Sequence, residues 1–433
     1  MGWTTVYEDR LTTPEDAVGL IKSKDRVVVG HGVGEPTTLL DAMVKNADHY
    51  ENVELVHMIS MGNSLYCQPG MEDHFRHNSI FVGATSRQAV IDGRADFTPV
   101  FFSEVPRLFR TTLPVDVALV NLSVPDEHGY CSFGVSVDYT KPAAECAKVV
   151  IAQINTRMPR TLGDSFIHVS KLDAIVEVSD PIIELQPPRI GEVEHAIGEM
   201  CASLVHDGDT LQLGIGAIPD AVLIFLQDKK DLGIHSEMFS DGAVALMEAG
   251  VITNRRKNFH PGRSVVTFLM GTRRLYDFVD NNPSVEMAPV DFVNNPSVIA
   301  QNDNLVSINS CVQVDLMGQV VSSSVGLRQI SGVGGQVDFV RGANMSRGGK
   351  AIIAMPSTAD HGKVSKIVPL IDEGAAVTTG RCDSDYIVTE YGMARLHGKT
   401  LRDRARDLIK IACPAFQPGL IDEYERRFHD RYR

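Results

Sequence analysis

Short apolar runs alternate with stretches that place apolar residues at helical spacing along most of the chain. Runs of four to eight residues predict buried strands, and the stretches between them predict helices. Strands that alternate with helices are typical of an α/β fold, in which helices cover a mostly parallel sheet. The strand-like runs are Val53–Met58, Val115–Leu122, Ala147–Ile154, Val265–Leu269, Leu305–Ile308, Ile352–Met355 and Ala375–Thr378.

A strand, a glycine turn and a helix are predicted twice. Segment 25–40 can be laid over segment 209–224 without a gap, and each copy runs from apolar residues through Gly-x-Gly to a helical pattern near Pro36 or Pro219. Such a turn either aims backbone N–H groups at a ligand's oxygen or only reverses the chain. Neither copy completes Gly-x-Gly-x-x-Gly, so a dinucleotide site is poorly supported. The repeat favours two related halves.

A proline-rich segment divides the chain. Residues 179–192 contain three prolines and lie just before a helical pattern at Val193–Val205, as expected of a linker. Because 433 residues exceed what one core usually serves, we predict domains at 1–185 and 186–433, each an α/β domain with a mostly parallel sheet flanked by helices. Ligands are then expected outside the carboxyl ends of the strands, in the crevice between the halves.

Charge and composition exclude several classes of function. A net charge of −14 argues against nucleic-acid partners, which need clustered Lys and Arg. No apolar run approaches the ~18 residues of a membrane helix, and the start of the chain lacks the order of a secretory signal, so a cytoplasmic address is expected. Seven scattered cysteines without C-x-x-C predict reduced, mostly buried thiols and indicate no metal site.

Two segments could carry chemistry. Glu237 follows a short strand-like run and precedes Ser240-Asp-Gly, a good helix start. It is a candidate nucleophile, although that stretch alone favours a surface or capping glutamate. The segment 332–335 has three glycines in four positions, followed by apolar residues, which favours close approach of the backbone to a ligand over a plain flexible loop.

Segments 93–106 and 123–134 mix turn residues with polar groups after apolar runs. Glu104 and His128 could each line a site, but a structural hydrogen bond explains each equally well. If the first segment lines a pocket, its contributors are Ala95, Phe97, Phe101, Phe102 and Ser103. The histidines at 31, 74, 77 and 235 show no reliable metal-ligand spacing, so no metal is implied.

Three motifs together identify a family. They are S-E-M-F-S-D-G at 236–242, G-V-G-G-Q-V-D-F at 332–339 and V-T-E-Y-G at 388–392. With them the chain resembles the acetyl-CoA hydrolase/transferase family of class I CoA-transferases. The likeness extends over nearly the whole chain, including 125–134, 211–222 and 395–428.

The resemblance implies two CoA-transferase-like α/β domains and a role for each motif. Glu237 matches the catalytic glutamate, and Glu390 and Gly392 match residues near the active site. Coenzyme A is then the substrate and part of a covalent intermediate, without a permanently bound cofactor. Family members are usually homodimers or larger homo-oligomers. The positions that match CoA-contacting turns are Gly214, Ile215, Gly216, Ala217, Ile218, Gly332, Gly334 and Gly335.

The implied reaction moves CoA between a short acyl-CoA, 4-hydroxybutyryl-CoA or butyryl-CoA, and acetate through a glutamyl-CoA thioester. An acyl-CoA hydrolase is the nearest alternative, because water could attack the same thioester. A non-catalytic ligand sensor is an alternative of another class, but no basic helix-turn-helix segment is evident. The phosphates of CoA need cations, and solvated surface charge explains most of the candidates, which are Arg255, Arg256, Lys257, Lys363 and Lys366.

Overall fold

A computed structural model describes residues 2–433 of the chain. Its α-helices are α1 Trp3–Asp9, α2 Pro14–Val18, α3 Thr37–Lys45, α4 Arg87–Ile91, α5 Val105–Arg110, α6 Thr140–Cys146, α7 Glu192–Ser203, α8 Ala217–Ile224, α9 Asp241–Glu248, α10 Arg273–Val279, α11 Val290–Val293, α12 Pro296–Ile299, α13 Gln336–Met345, α14 Leu401–Lys410 and α15 Gln417–Phe428.

The strands are β1 Arg26–Val29, β2 Val53–His57, β3 Phe75–Ser79, β4 Ala95–Phe97, β5 Val117–Leu122, β6 Tyr130–Ser132, β7 Val149–Asn155, β8 Leu162–Gly163, β9 Phe166–His168, β10 Ala174–Val178, β11 Thr210–Leu213, β12 Gly233–Ile234, β13 Met238–Phe239, β14 Ser264–Val266, β15 Phe268–Leu269, β16 Val285–Met287, β17 Leu305–Ser310, β18 Gln313–Asp315, β19 Val320–Val321, β20 Ser324–Val325, β21 Arg328–Gln329, β22 Lys350–Ala354, β23 Thr358–Ala359, β24 Val364–Ser365, β25 Ile367–Val368, β26 Tyr386–Thr389 and β27 Gly392–Arg395.

The chain forms two compact units. The first runs to Gln186 and also contains Phe239–Asp241 and Val265–Val293, and the remaining residues form the second. Part of the later chain belongs to the first unit because β16 pairs in parallel with β8 there. The domains predicted from the sequence, 1–185 and 186–433, are each one continuous segment, whereas the first unit also contains later segments of the chain. The domain boundary at 185 and 186 stays a prediction.

A seven-stranded sheet forms the first unit, in the order β10-β7-β5-β1-β2-β3-β4. Every neighbouring pair is parallel. All six residues of β5 are buried, as expected when both faces of a parallel sheet are covered. Helices α2 and α3 contribute Val18, Leu39 and Met43 to the apolar core over this sheet.

A six-stranded sheet forms the second unit, in the order β12-β11-β17-β22-β26-β27. Its first five strands are parallel and β27 returns antiparallel to β26. The carboxyl ends of these five strands therefore lie at one edge of the sheet, which we call the carboxyl edge. Mostly parallel sheets with accompanying helices confirm the predicted α/β class.

One predicted strand is wrong. Residues Ala375–Thr378 form no strand; they lie in a loop between Gly374 and Gly380. The amides of Thr378 and Thr379 donate to the carbonyl of Val320, so this apolar run joins another segment through an isolated bridge. The other six runs contain strands, and the helix predicted at Val193–Val205 is α7.

Both predicted strand-turn-helix units are present. In the first copy β1 leads through Gly30 and Gly32 to α3, and in the second β11 leads through Gly214 and Gly216 to α8. Gly32 and Gly216 have φ values of 59° and 115°, a region that favours glycine. Of the seven free thiols, those at 67, 131, 201 and 311 are buried, so the prediction of mostly buried cysteines is confirmed.

Candidate active site

Glu237 lies at the carboxyl edge of the second unit, three residues after β12. The neighbouring Ser236 fixes this turn, because its hydroxyl donates to the carbonyl of Leu213 at the end of β11 at 3.1 Å. Ser236 and Met238 are buried, whereas Glu237 is half-buried between them. The burial of Ser236 and Met238 thus fixes the backbone on both sides of Glu237, while its carboxylate side chain stays partly accessible.

Asn294 binds this carboxylate. Its Nδ2 donates to Glu237 Oε2 at 2.6 Å, and the asparagine is completely buried. Sequence reasoning missed Asn294. The available signal was N-N-P-S-V, which occurs at 281–285 and again at 294–298. In the second copy Asn295 caps α12 by accepting from the amide of Ser297, which fixes the backbone beside Asn294.

The glycine-rich segment approaches the same carboxylate. A Cβ atom on Gly335 would lie 1.8 Å from Glu237 Oε2 and 2.4 Å from Asn294 Nδ2, so no other residue fits there without displacing Glu237. Gly334 adopts a positive φ of 55°, and α13 begins directly after Gly335. The amino end of a helix carries partial positive charge, which favours a carboxylate nearby. The structure therefore brings Glu237, Asn294 and Gly335 together.

The predicted second CoA-contacting turn, 214–218, is open. Ile215 is 46% exposed, and a Cβ atom on Gly216 would meet no atom within 4 Å. Ala217 begins α8, and Ile218 is buried against the unit's core. This turn follows β11, the neighbour of the strand before Glu237, so its backbone lies on the same carboxyl edge.

Glu390 follows β26 on that edge, and its hydrogen bonds go to Ser357. The amide of Ser357 donates to Oε2 at 2.8 Å and its hydroxyl to Oε1 at 2.6 Å. Gly392 begins β27 with a φ of 146°, and a Cβ atom there would approach Ile411 at 3.2 Å. The backbone explains that glycine without a ligand, and an active-site role for either residue stays a prediction.

Other predicted residues lie in the first unit. Glu104 is exposed at the end of a 3₁₀ turn, Phe102–Glu104, and His128 is exposed beside Glu127. Ala95 and Phe102 are buried, whereas Phe97, Phe101 and Ser103 are half-buried. Roles for Glu104 and for the pocket residues stay predictions.

The five basic candidates differ in their surroundings. Arg255, Arg256 and Lys363 are exposed, as surface charge would be. Lys257 is instead 4% exposed, and its ammonium donates to the carbonyls of Ile234 and Arg263 at 2.8 and 2.7 Å, so it holds the strand before Glu237 in place. Lys366 is half-buried, and this burial lowers its pKa.

Among residues 2–433, no helix combines the length and the apolar composition that a membrane crossing needs.

Comparisons with known proteins agree on one family. Residues 2–185 match the profile of the acetyl-CoA hydrolase/transferase N-terminal domain, and residues 271–424 match that of the C-terminal domain. The chain is 66% identical over 429 residues to the 4-hydroxybutyrate coenzyme A transferase of Clostridium kluyveri, covering 99% of this chain and 100% of that protein. It is 38% identical over 439 residues to the butyryl-CoA:acetate CoA-transferase of Anaerostipes caccae, with 98% of each covered.

A solved structure shows the same fold. The 4-hydroxybutyrate CoA-transferase from Porphyromonas gingivalis is 46% identical and superposes with a TM-score of 0.86 over 98% of this chain and 100% of that chain. The profile matches and this identity over nearly the full length leave one conclusion. The chain belongs to the acetyl-CoA hydrolase/transferase family.

Proposed function

We propose that this protein is a CoA-transferase that exchanges CoA between 4-hydroxybutyryl-CoA or butyryl-CoA and acetate, with Glu237 as the nucleophile. The observation that carries the proposal is the contact of Asn294 with Glu237 at 2.6 Å, beside a backbone where only glycine fits. A carboxylate fixed in this way at the carboxyl edge can attack a thioester. The full-length relatives named for these substrates support the choice of acids.

The proposed reaction begins when an oxygen of Glu237 attacks the acyl-CoA carbonyl. The C–S bond breaks, CoA leaves as a thiolate, and a mixed anhydride remains. The thiolate then attacks the glutamyl carbonyl, which releases the first acid and leaves a glutamyl-CoA thioester. The acceptor carboxylate attacks this thioester, and the reverse steps release the new acyl-CoA and free Glu237.

Asn294 and the Gly335 backbone stabilise charge during these steps. When the thiolate attacks the glutamyl carbonyl, negative charge develops on the oxygen to which Asn294 donates. A fixed donor of this kind contributes about 3 kcal/mol to the transition state. Because Gly335 has no side chain, the space beside the Glu237 carboxylate stays free for the acyl group and the CoA sulfur.

The covalent step is tested by mass spectrometry. The protein is mixed with butyryl-CoA without an acceptor acid, measured intact, reduced with borohydride and mapped around residue 237. We expect a CoA adduct, or a glutamate reduced to its alcohol, at Glu237 of the wild type. The variant Glu237→Gln should form no adduct, and its turnover should be lower by roughly 10⁴-fold or more. Release of CoA and butyrate without an adduct would favour a hydrolase, and no reaction would favour a sensor.

The glycine contact gives a second test. Gly335→Ala should lower kcat/KM about 100-fold or more, because the added Cβ displaces the carboxylate or the loop. Gly419→Ala in α15 is the matched control, because a Cβ there would meet no atom within 4 Å. Equal activity of the two variants would show that the loop is not part of the site.

A homodimer or larger homo-oligomer in the cytoplasm belongs to the same proposal through the family resemblance. Light scattering of the purified protein measures its oligomeric state directly.

A further inference from the structure

Strand β12 leads to Glu237 and lies at the outer edge of the six-stranded sheet. On its inner side the amide of His235 donates to the carbonyl of Leu211 in β11 at 3.1 Å. Backbone groups of successive strand residues point to opposite sides, so the N–H and C=O groups of Ile234 point away from β11, where the sheet has no further strand. Ile234 is buried, and buried backbone groups need hydrogen-bond partners.

Two buried side chains supply these partners. The Oδ1 atom of Asn254 accepts from the amide of Ile234 at 2.8 Å, and the ammonium of Lys257 donates to the Ile234 carbonyl at 2.8 Å. Asn254 is 1% exposed and Lys257 is 4% exposed. We call this pair the strand clamp. Side chains thus hold β12 on the side where a neighbouring strand would otherwise do so.

The loop that carries the strand clamp is closed by its own hydrogen bonds. The amide of Gly262 donates to the carbonyl of Asn254 at 2.9 Å. Asn254 Nδ2 donates to the Ser264 hydroxyl at 3.0 Å, and Lys257 Nζ donates to the carbonyl of Arg263 at 2.7 Å. Asn254 has a φ of 56°, in the left-handed region that asparagine occupies more readily than most residues. Each clamp side chain is therefore bonded both to the loop and to the strand, which fixes its position.

Gly233 makes room for the lysine of the strand clamp. A Cβ atom on Gly233 would lie 2.5 Å from Lys257 Cγ and 2.7 Å from Lys257 Cδ. The lysine stem therefore occupies the space that any other side chain at this position would need, and its ammonium reaches the carbonyl of the next residue, Ile234. The run G-I-H-S-E at 233–237 thus combines a glycine required by the clamp with the candidate nucleophile.

A fixed segment of chain connects the strand clamp to the carboxylate. Glu237 follows Ile234 by three residues, which span about 11 Å at most. Between them the Ser236 hydroxyl donates to the carbonyl of Leu213 at 3.1 Å, and Asn294 holds the carboxylate itself at 2.6 Å. A displacement of Ile234 is therefore passed on to Glu237. A shift of about 1 Å in a reacting group costs up to about 100-fold in rate.

We infer that the strand clamp positions Glu237 for its attack on the acyl-CoA carbonyl, an inference that rests on the proposed function. Asn254 and Lys257 act through β12 and are positioning residues. Their loss should therefore slow the chemical steps and leave the binding of acyl-CoA unchanged. The clamp is a second anchor for Glu237, besides the direct contact with Asn294.

The test measures kcat and KM for the exchange of CoA between butyryl-CoA and acetate in three variants. Lys257→Met keeps an unbranched stem without the ammonium, and Asn254→Gly removes the acceptor at a position with positive φ. In both we expect kcat per folded molecule to fall about 10- to 100-fold, while KM for butyryl-CoA stays within about twofold. Asn254→Asp keeps the acceptor and tolerates this φ, so it should recover most of the loss.

Two control variants separate positioning from stability. Lys230→Met makes the same change at an exposed lysine four residues before Ile234 and should alter neither constant. Ser384→Ala removes a buried hydrogen bond to the Gly318 carbonyl, 2.7 Å long, just before β26 and so at the opposite edge of the sheet from Glu237. It should lower the free energy of unfolding in urea without changing kcat per folded molecule.

Amide hydrogen exchange measures the effect of the clamp on the strand itself. Exchange of segment 232–239 in the folded protein should be faster in Lys257→Met and Asn254→Gly than in the wild type, and unchanged in Lys230→Met. Unchanged exchange in the clamp variants would overturn the inference.

Three kinetic outcomes decide between the interpretations. A kcat per folded molecule within about twofold of wild type in the clamp variants, or an equal fall in Ser384→Ala, would show that the clamp only stabilises the fold and would overturn the inference. A rise in KM alone would assign Lys257 to CoA binding and also overturn it. Failure of the wild type to transfer any acyl group would instead reject the proposed function, whatever the exchange rates.

Discussion

The two Gly-x-Gly turns have the same local motif but differ in how far their central residues are buried. In the first unit His31, between Gly30 and Gly32, is 1% exposed; its Nδ1 donates to Asp138 at 2.9 Å, and the ring centroid of Phe268 is 4.8 Å away. In the second unit the equivalent Ile215 is 46% exposed. The first turn is therefore filled by the protein's own side chains, whereas the second is open to a ligand.

The largest expected effect is a loss of stability at the first turn, which we call the closed turn because the protein's own side chains fill it. Asp138 accepts hydrogen bonds from His31 Nδ1, from the Ser136 hydroxyl, and from the amides of Tyr139 and Thr140 and the Thr140 hydroxyl, all at buried positions. Asp138→Ala leaves these donors without an acceptor and should lower the free energy of unfolding by about 3–5 kcal/mol. Urea unfolding measures this, and a loss below about 1 kcal/mol would contradict the closed-turn interpretation.

The second-largest expected effect is a loss of stability of the first unit in acid. Burial lowers the pKa of His77 to about 4 and that of His57 well below its usual value, with the charges of His77 and His31 adding to the shift of His57. The unfolded chain, whose histidines titrate near 6.5, therefore binds protons first as pH falls. Stability is complete above about pH 6.5 and declines towards pH 4, by up to about 1.4 kcal/mol per pH unit for each histidine.

His77→Gln isolates that contribution, because glutamine can still donate to the Leu55 carbonyl that His77 Nδ1 contacts at 3.2 Å. Urea midpoints measured between pH 7.5 and 5 should fall less steeply in this variant. Identical slopes would mean that His77 does not control the acid response.

Alanine in place of each turn glycine should separate stability from activity. Gly32 and Gly216 both have positive φ, and strain at such positions costs about 1–3 kcal/mol. At Gly32 the new Cβ would also lie 2.6 Å from Met270 Cε, so Gly32→Ala should lower the melting temperature more. Gly216→Ala should mainly reduce kcat/KM for acyl-CoA. The reverse order in both assays would show that the second turn is the structural one.

Ile215→Ser should have the smallest effect on the fold. An exposed side chain contributes little, so the free energy of unfolding should change by less than about 0.5 kcal/mol. If the open turn contacts CoA, the loss of apolar contact should raise KM for acyl-CoA up to about tenfold, equivalent to about 1.4 kcal/mol. An unchanged KM would remove Ile215 from the CoA-contacting set.

Sequence reasoning located strands, helices and motif residues better than the side chains that contact those residues. It placed Glu237 after a strand and before a helix, and it marked the glycines at 332–335, one of which lies against Glu237. It did not find Asn294. It also grouped Lys257 and Lys366 with the surface cations, because charge is visible in the sequence and burial is not.

Local sequence alone determined the α/β class and the repeated glycine turns, since hydrophobic period and glycine spacing act over a few neighbouring positions. Glu237 became the candidate nucleophile only through the family resemblance of its motif. Tertiary structure alone decided that Asn294, 57 residues after Glu237, binds its carboxylate, that Ser357 fixes Glu390, and that one glycine turn is filled while the other is open. These outcomes depend on contacts between strands distant in sequence, and pairing, burial and close packing arise only when the sheet has assembled.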